Sequence, residues 1–251
     1  LYTSGDVTMK VTGEDGREQT QVFPLAVMNG QLSPGEHEFN LAAGLPDDDS
    51  DMDGAVFAAS YGYGLENLTL RTGLVFNQDW KGASAGMVVG LGWLGAVSVD
   101  GAYASAKYRD GSHSGNKVQL AWSKQLEPTN TSLRLSWSRR SEEYEDMSSF
   151  NPSEVYSQVN QGRRTKAEWG VGISQPVGDL FSLSLSGWQR SYYPASVISA
   201  HRQQKDSGKE RGITGTLSTQ IKGATLNLGW SGSRNSDGEN NWSASALSLI
   251  H

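Results

Sequence analysis

The sequence predicts an all-β protein, most of it made of antiparallel strands of the kind that line a transmembrane β-barrel. Three observations carry this. Large apolar residues alternate with Ser, Thr, Gly or charged ones over stretches of about 9–11 residues, the length that crosses a bilayer as a tilted strand. Each stretch stops at a polar turn. Charged residues are 19% and Gly numbers 30 in 251 residues, poorer in charge and richer in Gly than an average soluble domain. The pattern is plain in residues 131–139, where Leu133, Leu135 and Trp137 oppose Ser132, Arg134, Ser136 and Ser138. It recurs where Ala167, Trp169, Val171 and Ile173 oppose Glu168, Gly170, Gly172 and Ser174, and where Ala224, Leu226, Leu228 and Trp230 oppose Thr225, Asn227, Gly229 and Ser231. Strand side chains point alternately to opposite faces, so one face meets an apolar medium and the other a polar one.

The first segment is different. Residues 6–12 and 17–23 flank Asp15-Gly16, a short-range hairpin signal, and are short and charged. They suit a small soluble β domain better than a membrane wall. A connector follows, and from residue 36 the wall segments are expected at about 36–44, 54–63, 67–77, 81–91, 94–106, 115–126, 130–141, 164–175, 179–190, 211–221, 223–234 and 241–251. The span from Gly82 to Val99 carries no charge and is 18 residues long, but its five Gly and the turn-like Gly92-Trp93-Leu94-Gly95 make it a hairpin rather than a membrane helix. Tight turns such as Glu127-Pro128-Thr129 and Lys222-Gly223 sit opposite longer polar excursions at 45–53, 107–114, 142–163 and 191–210. Short turns on one side and long loops on the other are the habit of outer-membrane barrels. Within the longest excursion, Asn151 as N-cap, Pro152 at the first helical position and Glu154 at the third predict a short helix over about 152–160. Trp80, Trp93, Tyr103, Trp122 and Trp242, at segment ends, are candidates for interfacial girdles.

Composition narrows the function. A net charge of -6 with 21 Lys+Arg gives no electrostatic case for nucleic acid, and the lack of Cys removes disulfides and thiolate chemistry. Leu1-Tyr2-Thr3-Ser4-Gly5 lacks the basic start and apolar core of a signal peptide, so a mature protein or an internal piece is expected. Several motifs resolve into strand chemistry. Gly90-Leu91-Gly92-Trp93-Leu94-Gly95 fits G-x-G-x-x-G, but the period-two run Ala96-Val97-Ser98-Val99-Asp100 follows it where a dinucleotide site needs a helix. Gly82-Ala83-Ser84-Ala85-Gly86 fits G-x-S-x-G, yet opens a strand instead of a strand–turn–helix elbow. The acidic run 47–53 resembles a calcium loop started at Asp49, except that Ser60 stands where the bidentate Glu belongs. An acidic solvated loop is expected for this run, with weak cation binding left open, and a charged loop or lumen patch for Glu142, Glu143, Glu145 and Asp146 beside Arg139 and Arg140. The sequons at Asn67, Asn130 and Asn241 are coincidental in a bacterial outer-membrane protein. No catalytic, cofactor or metal site is expected.

Two phrases point to a family. Tyr61-Gly62-Tyr63-Gly64-Leu65-Glu66-Asn67-Leu68-Thr69-Leu70, followed by Leu94-Gly95-Ala96-Val97-Ser98-Val99-Asp100, resembles the outer-membrane ushers of chaperone–usher pilus assembly. Gly64, Leu65, Leu94, Gly95 and Asp100 are the phrase residues. Upstream, Ser4 to Val11, Glu14-Asp15-Gly16 and Phe23-Pro24 look like the end of the usher plug domain. The resemblance runs in order from about residue 4 to 150 and is compositional afterwards; Pro24-Leu25-Ala26-Val27 lacks the Tyr usual after that Pro. It implies half of a larger pore preceded by part of a small β-sandwich plug: residues 1–28 as the C-terminal part of the plug, 29–35 as connector and 36–251 as barrel strands. Asp6, Val7, Lys10, Glu14, Asp15 and Gly16 would be plug residues, and Pro152, Glu154, Tyr156 and Gln158 would belong to a helix packed against it. The implied partners are pilin or fimbrial subunits, a periplasmic chaperone and outer-membrane lipid, with a usher homodimer also compatible, and no catalysis is implied. Without the family phrases, a self-contained porin-like or autotransporter barrel fits the alternation, a soluble secreted β-sandwich adhesin would use the apolar faces as its core, and an outer-membrane hydrolase at Ser84 is the remotest alternative.

Overall fold

The computed structural model describes residues 7–12, 18–23, 31–46, 51–147, 150–154, 156, 164–193, 209–221, 223–235 and 238–250. Two short strands, β1 (Val7–Thr12) and β2 (Glu18–Phe23), pair antiparallel, as the hairpin signal predicts, with Val7 opposite Phe23 and Thr12 opposite Glu18. The turn residues Asp15 and Gly16, with Asp6 and Glu14, lie outside the described residues. Twelve longer strands follow: β3 (His37–Gly44), β4 (Val56–Gly64), β5 (Leu68–Phe76), β6 (Trp80–Gly90), β7 (Ala96–Tyr108), β8 (Gly111–Leu126), β9 (Thr131–Arg140), β10 (Thr165–Val177), β11 (Phe181–Tyr192), β12 (Lys209–Ile221), β13 (Ala224–Arg234) and β14 (Asn240–Ile250). They form one sheet in strict chain order, with β3 and β14 outermost. Each strand pairs with its sequence neighbour because each is joined to it by a hairpin or a single excursion, the up-and-down habit of a barrel wall.

Register sorts the two faces. In β3 to β6, Leu41, Ala59, Leu74 and Ala83 fall in one cross-strand row, and Ala43, Phe57, Phe76 and Lys81 in the next. In β10 to β14, Val177, Phe181 and Thr219 start a face that continues through Ile173, Leu185, Leu217, Leu228 and Trp230. Phe39, Leu41, Phe57, Leu74, Phe76, Trp169, Val171 and Ile213 are all exposed, so the apolar face is the open one. A water-soluble sandwich would bury these side chains; here the large hydrophobics point away from the protein, which is the arrangement that lipid stabilises. The other face carries Ser84, Gly86, Ser98, Asp100, Ser184, Ser186, Thr216 and Asn227.

The tempting motifs resolve as the periodicity requires. Gly92–Leu94 is a single 3-10 turn between β6 and β7, and Gly82 to Gly86 lies inside β6. Gly92 and Gly95 both take positive φ, 60° and 90°, which a tight hairpin turn needs and side chains resist. Trp80 departs from its expected place. It is 1% exposed and belongs to the buried cluster, whereas Trp93 and Trp242 are 79% and 75% exposed at strand ends. The reason is phase: Trp80 shares the polar face with Gly82 and Ser84, so it points away from any lipid girdle.

By contact the chain divides into two compact units, residues 1–91, 97–120 and 139–162 in one and 92–96, 121–138 and 163–251 in the other. The first holds the small hairpin, whose β2 comes within 8 Å of β4 at Cα level, and the buried aromatic cluster.

The two faces should respond oppositely to charge. Leu135→Arg, on the apolar face, is expected to weaken the folded wall by about 2–4 kcal/mol at mid-membrane depth, and Ser136→Arg, on the polar face, to be tolerated. Urea-gradient gel mobility of the heat-modifiable folded form checks this.

Candidate functional site

Among the described residues the buried aromatic groups gather at one place, with Asn77, Glu145 and Asp146 beside them, where the excursion after β9 folds back over the polar face of β6 to β8. The floor begins at the β5–β6 turn. Asn77 is 0% exposed, and its Nδ2 donates to the carbonyls of Asp53, Gly54 and Ala55 at 3.0, 3.2 and 3.2 Å. Its Oδ1 accepts from the Asp79 N–H at 2.9 Å. One amide thus holds three successive carbonyls of the β3–β4 connection. Gly54 allows the close approach with φ of 80°.

Trp80, the next residue on the polar face, donates its indole N–H to the Glu145 carbonyl at 3.1 Å and so fastens the excursion to the strand. Gly115 in β8 lies directly below Tyr144; a Cβ there would collide with the Tyr144 backbone and the Ser141 hydroxyl. Tyr108, at the end of β7, meets Phe150 and Tyr156 edge-on, with ring centroids 5.1 and 5.5 Å apart. His113 stacks flat on Tyr156 at 3.9 Å. Edge-to-face and offset contacts of this kind contribute about 0.5–1.5 kcal/mol each beyond the area they bury.

Polar ties close the rim. The Tyr156 N–H donates to Asp110 at 3.1 Å and its hydroxyl to the Glu142 carbonyl at 3.3 Å. Arg109 donates its backbone N–H to the Glu154 carbonyl at 3.1 Å. Arg140 pairs with Asp146 at 3.3 Å, and His113 faces Glu143 at 3.2 Å and Asp110 at 3.7 Å. The Asp51 carboxylate accepts from the Ser153 hydroxyl at 2.7 Å and from Asn151 Nδ2 at 2.9 Å, and these bonds hold its pKa below the ordinary 3.8. Burial pushes the Tyr156 phenol up from 10.0 to about 12, with Glu143, Glu142 and Asp110 adding in the same direction. Burial, with Asp146 adding to it, likewise raises Tyr144.

The sequence-predicted residues that are described divide among five places. Pro152 and Ser153 form a turn, and Tyr156 is helical; Gln158 and the rest of the expected helix lie outside the described residues. Gly64 and Leu65 sit where the connector reaches the sheet. Gly64 presses against the carbonyls of Leu32 and Ser33, its N–H donates to the Glu36 carbonyl at 2.9 Å, and the Gly35 N–H donates to its own carbonyl at 2.8 Å. Next to them Thr69, 1% exposed, accepts from the Leu32 N–H at 2.9 Å. A Cβ at position 64 would displace the connector, which gives the glycine of the Tyr-Gly-Tyr-Gly phrase a physical reason. Leu94 and Gly95 belong to the other unit, where the Leu94 carbonyl accepts from the Trp122 indole at 2.8 Å. Asp100 lies mid-strand on the polar face against Gly86, its Oδ2 shielded and without a hydrogen-bond partner among the described residues. Val7 and Lys10 are in β1. The sequence reading missed Asn77, Tyr108, Tyr144 and Phe150. Only Tyr108 carried a signal: it continues the polar-face phase of Ala104 and Ala106, so an aromatic there calls for a cover.

A long antiparallel wall with one apolar and one polar face, and an excursion clamped on the polar face, defines a protein of the outer-membrane β-barrel class. The chain belongs to the usher family: the family model "Outer membrane usher protein" matches residues 2–250. It is 78% identical over 246 residues to the outer membrane usher protein FaeD of Escherichia coli, covering 98% of this chain and 30% of that protein. It is 30% identical over 252 residues to the usher YraJ of Escherichia coli K12, covering 98% of this chain and 28% of that one. The solved translocation pore of the P pilus usher PapC superposes with a TM-score of 0.58 at 19% identity, over 97% of this chain and 48% of that one, a likeness of fold. The chain therefore spans less than a third of these curated relatives, and its place is the bacterial outer membrane.

Two outcomes test the clamp. Gly115→Ala should lift the excursion and speed trypsin cleavage after Arg139 or Arg140 by about tenfold, the equivalent of about 1.4 kcal/mol, while Gly101→Ala, with open space around it and no positive φ, should not. Because the folded Tyr156 pKa is raised, its contribution is complete below pH 10.0 and is lost as pH rises through about 12. Excursion protection measured by hydrogen exchange should fall across that window, and persistence beyond it would count against the buried phenol.

Proposed function

We propose that this chain is part of the wall of a translocation pore through which folded fimbrial subunits, delivered by a periplasmic chaperone, pass to the cell surface. The observation that carries the reading is the match over residues 2–250 to the usher family, joined to a polar face built mostly of Ser, Thr and Gly. Such a face offers passing subunits hydrogen bonds but few deep apolar holds. No bond is made or broken by the protein. Subunits advance by strand exchange, each accepting a strand from its neighbour in place of the chaperone's, a β-augmentation in which main-chain hydrogen bonds are conserved.

Within that reading, residues 1–28 are the C-terminal part of a plug domain, 29–35 the connector and 36–251 barrel strands. The β1–β2 hairpin near β4, and the connector seated on Gly64 and Thr69, support this division. Plug residues would be Asp6, Val7, Lys10, Glu14, Asp15 and Gly16. The segment from Pro152 through Glu154 and Tyr156 to Gln158 would brace the plug from the wall, held in place by Trp80 and Tyr108. Gly64, Leu65, Leu94, Gly95 and Asp100 would shape the two turns and the polar face that the plug meets. The outermost strands β3 and β14 would continue into further wall strands, since exposed sheet edges in lipid are severely unfavourable.

In the full-length usher that carries this segment, deleting residues 4–23 should raise resting conductance across a planar bilayer. Unchanged conductance with a correctly inserted barrel would sink the plug assignment, and loss of fimbrial subunits from the surface of wild-type cells is not expected.

A further inference from the structure

The apolar face of β11 to β14 carries a feature that subunit passage does not use. Register places Gln189, Arg211, Arg234 and Asn240 opposite one another in a single cross-strand row on that face. Arg211 and Arg234 are direct partners, a position where Cβ atoms stand about 4.5–5.5 Å apart and like charges repel. Both are exposed, and among the described residues neither has a carboxylate within ion-pair distance. Among the described residues the nearby carboxylates are engaged elsewhere. Glu168 pairs with Arg190 at 3.1 Å and Glu210 accepts from the Tyr192 hydroxyl at 2.7 Å, both on the polar face, while Glu239 accepts from Asn235 in the β13–β14 turn.

One row deeper, about 7 Å along the strands, the face reads Val171, Gly187, Ile213, Gly232 and Trp242. The Trp242 ring lies over Gly232, and Val171 Cγ2 stands over Gly187, 3.3 Å from where a Cβ would be. The result is a groove of about 520 Å³ walled by Trp169, Ile213 and Trp242, with the two guanidinium groups at its rim. It lies at the strand ends that lead to the long β11–β12 connection, the outer side in this class of barrel.

We infer that Arg211 and Arg234 bind the phosphate of a phosphorylated lipid in the surrounding leaflet, with one acyl chain lying in the groove. Charge complementarity selects the headgroup. Two adjacent cations on a lipid-facing row are unfavourable until an anion joins them, and the guanidinium fork matches phosphate oxygens in pairs. The apolar recess selects a lipid over free phosphate, which has no use for it. The flanking Trp169 and Trp242 are exposed amphipathic rings of the kind that favour the headgroup boundary.

The test uses the full-length usher in neutral detergent, titrated with dioleoyl phosphatidic acid or with dioleoylglycerol, which has the same chains and no phosphate. Bound lipid is counted by native mass spectrometry. The unmodified protein should prefer phosphatidic acid, and Arg211→Gln with Arg234→Gln should lower its occupancy at least about tenfold. Arg211→Lys with Arg234→Lys should keep most of it, and dioleoylglycerol should not distinguish the variants. Equal binding of the two lipids by the unmodified protein would overturn the site, as would equal phosphatidic acid binding by the glutamine pair. Displacement by inorganic phosphate at matched concentration would overturn the lipid, leaving a free-phosphate site.

Discussion

Everything in this fold depends on the backbone hydrogen-bond ladder. A chain that crosses hydrocarbon must satisfy every peptide N–H and C=O within itself, because an unpaired group there costs several kcal/mol. Twelve strands paired in chain order meet that constraint locally, each through a neighbour joined by a short turn or one excursion. Once the ladder is fixed, the period of two assigns every side chain to a face. The apolar row of Leu41, Ala59, Leu74 and Ala83 and the polar run of Ser98 and Asp100 then follow from the same geometry.

The ladder also decides where irregular structure can be held. Excursions from such a wall cannot dock on its apolar side without stripping lipid from it, so the one after β9 packs on the polar side. There it needs an apolar nucleus of its own, which Tyr108, Tyr144, Phe150 and Tyr156 supply around Trp80. Asn77 holds the neighbouring β3–β4 connection, and the Trp80 N–H binds the Glu145 carbonyl within this packing. The connector uses the same device in smaller form: Gly64 clears space and Thr69 accepts the Leu32 N–H. In both cases a glycine gives the backbone room and a single buried polar side chain fixes the register.

The strands were legible because alternation is a strong local signal. The wall elements appear where the periodicity places them, and β12 (Lys209–Ile221) begins only two residues before the expected 211. The largest shift is at β8, which starts at Gly111 instead of 115. His113 and Gly115 break the apolar pattern there because the excursion covers them. Trp80 was misplaced for a related reason. An aromatic at a strand end suggests a girdle, and only its phase relative to Gly82 and Ser84 shows that it faces inward. Tyr144 and Phe150 carried no periodic signal at all, since they lie in an irregular segment whose partners come from β6, β7 and β8. Local sequence gives the wall, whereas the cluster depends on contacts across 65 residues, the separation of Trp80 and Glu145.

The most direct test is a spin-label accessibility scan along β9 in the native membrane-inserted usher, reading collisions with oxygen and with a water-soluble nickel complex at each position from 131 to 140. A wall strand predicts a period of two, with oxygen maxima at Leu133, Leu135 and Trp137 and nickel maxima at Ser132, Arg134 and Ser136. Oxygen and nickel profiles that rise and fall together, or that show no alternation, would contradict a membrane wall and return these apolar faces to a soluble core.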